Sequence, residues 1–158
     1  ISENFVFTND DIFFNREFSA DKIPYFSDMN IDDYLQSKPH LNRIYKSAVL
    51  RTKALLLEHN KTLYHYDIHA PIIYNKQRFF EIFKDIKDEI IIKSYYSNFC
   101  PEIKPKLLED NKIFKPLSLH EIQTANKYNP FMSLTDIALN DIMKKYILNK
   151  YNKNSNYE

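Results

Sequence analysis

A chain of 158 residues is long enough for a domain with a real core, and 44% hydrophobic with 27% charged residues is ordinary for a globular protein. Lys plus Arg (22) nearly cancels Asp plus Glu (21), so a net charge of +1 gives no case for gripping a nucleic-acid backbone or for a polybasic membrane anchor. The lone Cys100 excludes an internal disulfide framework and fits a reducing compartment, while the absence of any glycine excludes a P-loop, a dinucleotide-binding fingerprint and a glycine nucleophile elbow.

Without glycine, left-handed backbone positions fall to Asn, the next most permissive residue. Asn60, Asn75 and Asn129 stand where helix ends or turns are expected. The chain starts at Ile1 and enters a strand pattern almost at once, which suggests further sequence upstream. No apolar run reaches the roughly 20 residues that span a bilayer, so no transmembrane segment is expected.

Phe5, Val6 and Phe7 predict a short buried strand over Asn4 to Thr8, ended by Asn9-Asp10-Asp11. Residues 30–36 have room for one or two helical turns. The strongest helix runs from His40 to Glu58, with Leu41, Tyr45, Ala48, Thr52 and Leu55 on one face. Tyr64 to Tyr74 reads as extended, Lys76 to Lys87 as an amphipathic helix, and Glu89 to Lys93 as a strand. Two capping-box patterns, Ser118 with Glu121 and Ser133 with Asp136, predict two more helices. The fold class is therefore α/β with more helix than strand. Residues 1–150 are expected to form one partial catalytic domain, with a polar tail over 151–158.

Some residues carry chemistry on their own. Ligands of open α/β sheets bind beyond the carboxyl ends of strands. Adjacent carboxylates such as Asp10 and Asp11 can there hold Mg²⁺ or Mn²⁺, which grips a nucleotide diphosphate; the competing reading is a simple turn. His65, Asp67 and His69 alternate, so an extended backbone turns all three to one face. A His beside a carboxylate suits a general base or a metal ligand, and the plainer reading is a polar edge strand with Tyr64 and Tyr66 packed inward. The Arg51 fork beside Thr52 matches a phosphate, or else is a solvated helix residue. Lys93 to Asn98 mixes polar and aromatic side chains, as a sugar-binding loop or an ordinary loop does.

Taken in order, these blocks resemble the Stealth family of capsule-type sugar-phosphate transferases. Ile1-Ser2-Glu3-Asn4-Phe5-Val6-Phe7-Thr8-Asn9-Asp10-Asp11-Ile12-Phe13-Phe14 resembles the family's strand-end Asn-Asp-Asp segment. Thr52 is similar to a threonine between its blocks, Asp67-Ile68-His69-Ala70-Pro71 to its acidic-x-His-x-Pro block, and Lys76 to the lysine that follows. Ser94-x-Tyr96-x-Asn98, Asp110-x-Lys112, Phe131-Met132-Ser133-x-Thr135-Asp136 and the closing Ser155-x-Tyr157-Glu158 resemble later blocks. Where the family often has Gly, this chain has Ser97, and the family's usual N-terminal strand-helix unit has no counterpart here.

The resemblance implies the C-terminal, helix-rich part of a GT-A-like nucleotide-sugar transferase fold. It implies transfer of hexose-1-phosphate from a nucleotide-sugar donor to a glycan acceptor, assisted by Mg²⁺ or Mn²⁺, in the cytoplasm or peripheral to the inner face of a bacterial membrane. His69, Asp11 and Asp67 would be catalytic, with His69 as base and Asp67 orienting it. Asp10 and Asp11 would hold the metal, and Asn9, Arg51, Thr52, Lys76, Ser94, Asn98 and Lys112 would bind substrate. A metal-dependent glycosyltransferase and a non-catalytic glycan-binding fragment are the competing readings.

Overall fold

The computed structural model describes residues 2–9, 11–17, 19, 23–110 and 112–151. Asp10, Phe18 and the 152–158 tail, which carries the closing Ser-x-Tyr-Glu, lie outside the described residues. The described residues form six α-helices and nine short strands in small sheets, a mixed α/β arrangement. The chain falls into two compact units, Ile1–Thr8 with Phe18–Asp110 and Asn9–Glu17 with Asn111–Glu158.

In the first unit, β1 (Asn4–Phe7) pairs antiparallel with β6 (Ile72–Asn75), Phe5 opposite Tyr74. The strand is present but is not buried: Phe5 is 37% and Phe7 46% exposed. Both rings lie against Tyr74, and a two-stranded sheet offers them little more to pack on. Two further pairs are parallel β3 (Phe26–Ser27) with β7 (Lys106–Leu107) and antiparallel β4 (Met29–Asn30) with β5 (Tyr64–His65).

Asparagines start three of the unit's four helices. Asn30, Asn42 and Asn75 accept backbone N–H bonds at the openings of α1 (Ile31–Ser37), α2 (Arg43–Glu58) and α3 (Lys76–Phe83). Asn42 therefore begins α2 later than the expected His40. Its buried stripe is Ala48, Val49, Thr52 and Leu56, with Tyr45 and Leu55 half-buried beside it. Asn60 takes the left-handed conformation at φ 53° beyond the end of α2, whereas Asn75 and Asn129 cap helices at negative φ.

The expected strand over Glu89 to Lys93 is a correction. Ile91 donates its N–H to the buried Thr52 hydroxyl at 2.8 Å, and the chain then turns into α4 (Ile92–Phe99). An apolar run of three isoleucines fits a strand or a buried helix entrance equally well. A partner 39 residues away decides between them. The helix buries Tyr95 with Ile31, Val49 and Leu56, and Tyr96 with Ile72 and Tyr74.

The second unit holds one three-stranded sheet, with β9 (Phe131–Leu134) central between antiparallel β2 (Ile12–Phe14) and parallel β8 (Lys112–Ile113). The Ser118–Glu121 capping box is formed and opens α5 (Leu119–Tyr128). The Ser133–Asp136 pattern opens no helix: Ser133 lies in β9, and α6 (Asp141–Lys150) starts from Asn140 instead. Ile122, Met132, Leu134, Ala138 and Met143 form this unit's core. Among the described residues, no helix is long and apolar enough to cross a membrane.

Candidate active site

The two candidate histidines of the first unit, His65 and His69, have different carboxylate partners. Only His65 of the alternating trio is in a strand; His65 and Asp67 both reach the Tyr45 hydroxyl, whereas His69 meets Asp110 instead. His65 is buried. Its Nδ1 lies 2.8 Å from Asp28 Oδ1, and its Nε2 lies 3.3 Å from the Tyr45 hydroxyl. Tyr34 stacks on the ring at 3.8 Å. Tyr45 donates its proton to Asp67 Oδ2 at 2.8 Å. Burial, followed by the Asp67 carboxylate, pushes the Tyr45 hydroxyl far above its ordinary range, so it remains a donor. Asp67 therefore serves Tyr45.

His69 has a different carboxylate. Its Nδ1 lies 2.9 Å from Asp110 Oδ2 and 3.2 Å from Oδ1, and its backbone N–H donates to Asp110 Oδ1 at 3.3 Å. The His69 side chain is 25% exposed, so solvent reaches the pair. A carboxylate on Nδ1 fixes the tautomer that carries its proton there, and the basic lone pair is then on Nε2. This His–Asp arrangement is what a general base needs. Sequence reasoning missed Asp110 in this role because 41 residues separate it from His69. Its appearance in the Asp110-x-Lys112 block was the available signal.

Several expected substrate contacts are committed to the fold. Thr52 is buried, donates to Ala48 O at 2.8 Å and accepts from Ile91 N. Ser94 is buried and accepts from Tyr66 N at 2.9 Å. Asn98 is buried and bonds to Thr62, both backbone groups of Tyr64, and Ser94 O. Arg51 is exposed and pairs with Asp88, its Nε 3.0 Å from the carboxylate. Lys76 is exposed at the first position of α3. The structural load on Thr52 gives a direct expectation. Thr52→Val keeps the shape but orphans the Ile91 N–H, and should cost about 1–3 kcal/mol in denaturant unfolding at unchanged slope.

The acidic strand end belongs to the second unit. Asn9 O accepts from Ile12 N, and Asp11 follows in the turn before β2. Asp11 Oδ2 accepts from Ser133 Oγ at 2.7 Å and lies 2.9 Å from Lys112 Nζ. Asp11 and Lys112 border a cleft of about 520 Å³ whose wall also holds Phe13, Thr135 and Asp136. Asp136, expected as a capping acid, is a candidate site residue instead. The larger cleft of the first unit, about 670 Å³, is walled largely by Ile44, Ala48, Phe83, Ile86, Ile90 and Ile92 and contains none of the candidates.

Among the described residues, no group of three or more His, Cys, Asp or Glu side chains is arranged to hold a metal ion. Asp10, the other expected ligand, is outside them. The donors that border the cleft, Asp11, Thr135 and Asp136, are all oxygens, the ligand type that Mg²⁺ and Mn²⁺ take. Lys112 beside Asp11 suits a phosphate oxygen. No protein-family model, curated protein or solved structure matches the chain.

Proposed function

We propose that this chain carries part of a sugar-phosphate transferase of the Stealth type, with a GT-A-like fold, acting on a nucleotide sugar and a glycan in the cytoplasm. The observation that carries the reading is the His69–Asp110 pair, a solvent-reached imidazole with its Nδ1 held by a carboxylate 2.9 Å away. It supports proton abstraction from a hydroxyl. The resemblance over most of the chain supports the identity of the substrates.

The chemistry balances simply. His69 Nε2 takes the proton of an acceptor hydroxyl as that oxygen attacks the sugar-bearing phosphorus of the donor. The bond between this phosphorus and the bridging oxygen breaks, and a nucleoside monophosphate leaves. Asp110 stabilises the imidazolium that forms. On the second unit taken by itself, Asp11 and Asp136, with Asp10, would supply oxygen ligands to a divalent ion, and Lys112 would suit a phosphate oxygen.

The test is an assay of the full-length protein with nucleotide sugars, a glycan acceptor and Mn²⁺. The released nucleotide and the product phosphorus are measured by chromatography and ³¹P NMR. Release of nucleoside monophosphate with a new phosphodiester is expected. Release of nucleoside diphosphate with a phosphorus-free product would make the protein a glycosyltransferase, and glycan binding with no nucleotide release would sink the enzymatic reading.

A further inference from the structure

Lysine is almost never fully buried unless it is partnered, and Lys93 is only 5% exposed. It stands in the first turn of α4, where the positive end of the helix dipole disfavours a cation. Two costs therefore act against an ammonium group here, and two backbone carbonyls are among the groups that offset them. Lys93 Nζ donates to Ile68 O at 2.9 Å and to Ala70 O at 3.1 Å. The Phe7 ring lies 6.0 Å from the same nitrogen, within cation–π reach.

The two carbonyls flank His69. Ala70 N also donates to Ile68 O at 2.8 Å, which closes a three-residue turn with His69 at its centre. Pro71 follows and fixes its own φ. His69 is thus held at its ring and its own N–H by Asp110, and through both neighbouring carbonyls by Lys93.

We propose that Lys93 is a positioning residue for His69, its ammonium clamping the turn so that Asp110 keeps the imidazole in the Nδ1–H tautomer with Nε2 as the basic nitrogen. This deepens the reading of His69 as the acceptor base and rests on it for its catalytic meaning. The geometric claim does not depend on any substrate. Lys93 itself touches no reacting atom in this role; without the clamp, the ring would divide its time between tautomers and orientations, only one of which can take the acceptor proton.

The experiment is ¹⁵N imidazole NMR on the 158-residue chain, at a pH well above the ordinary histidine range so that neutral tautomers are read. Wild type should show His69 predominantly as Nδ1–H. Lys93→Met keeps the aliphatic stem and removes the ammonium. It should shift the tautomer ratio at least about fivefold toward Nε2–H, the form favoured by a free imidazole, with the His65 signals unchanged. A folded Lys93→Met with the wild-type His69 ratio overturns the proposal, since loss of global stability alone would not alter the tautomer of the folded fraction. If Lys93→Met does not fold, Lys93→Gln carries the test: its shorter neutral amide cannot bracket both carbonyls, so a smaller shift in the same direction is expected and no shift overturns the clamp. In the transfer assay, Lys93→Met should lower kcat with donor KM unchanged. A tautomer shift in a protein that shows no transfer would leave the clamp standing and sink the transferase reading.

Discussion

Replacing His69 by alanine is expected to lower turnover by about 10²- to 10⁴-fold while leaving donor affinity nearly unchanged. The expectation follows from the position of the imidazole relative to its carboxylate. Asp110 occupies the Nδ1 side at 2.9 Å, so the ring's contribution is a lone pair on Nε2 rather than a positive charge aimed at a diphosphate. A base of this kind acts on the acceptor hydroxyl as bonds change, and its removal lowers kcat without weakening ground-state binding of the donor. Calorimetry with the nucleotide sugar and Mn²⁺, run beside the turnover assay, separates the two quantities. A parallel loss of donor affinity would identify His69 as a ligand and remove the base. Asp110→Asn is the companion variant. An amide presenting its N–H to Nδ1 favours the opposite tautomer, so this nearly isosteric change should also cost a large part of the rate.

The features that the sequence revealed are those whose partners are close in the chain. The Ser118–Glu121 box spans three residues, and its reciprocal bonds form as the pattern implies. Asn60 takes the left-handed conformation that a glycine-free chain must assign to some other residue. The amphipathic period placed α2 and its buried face to within a few residues. Failures occurred where a distant partner outweighed the local signal. Ser133 and Asp136 have capping-box spacing, but Ser133 spends its hydroxyl on Asp11, 122 residues away, and its backbone on the central strand of a sheet. The residues around Ile91 have strand composition, but Thr52 takes the Ile91 N–H and sets the entrance to a helix. Asp67 looked like the natural partner of His69 at two residues' distance. The turn at Ile68–Ala70 separates them and brings Asp110 in. Periodicity specifies faces of elements; it does not specify which side chains meet from different elements.

The largest effect on stability is expected at Asn98. The Ser94-x-Tyr96-x-Asn98 block marked it as special, and the reason is visible in its four hydrogen bonds. Its Oδ1 accepts from Thr62 Oγ1 at 2.6 Å and Tyr64 N at 3.0 Å, and its Nδ2 donates to Tyr64 O at 2.8 Å and Ser94 O at 2.7 Å. One amide thereby fastens β5 to α4 as a neighbouring strand would, and Ser94 extends the seam by accepting from Tyr66 N. Truncation to alanine removes donor and acceptor together and leaves the backbone groups of Tyr64 without these partners. At about 1–3 kcal/mol for each buried polar group left unsatisfied, and with partial relief by water, Asn98→Ala should cost about 3 kcal/mol or more. That is a large share of the roughly 5–15 kcal/mol that holds a typical domain together. Ser94→Ala removes one bond of the same seam and should cost about 1–2 kcal/mol. Lys76→Ala, exposed on α3, should stay within about 0.5 kcal/mol and serves as the control. The measurement is urea unfolding followed by circular dichroism, read at constant slope. If Asn98→Ala unfolds at the wild-type midpoint but loses affinity for a sugar donor, the amide is a substrate ligand and the seam is not what holds β5 to α4.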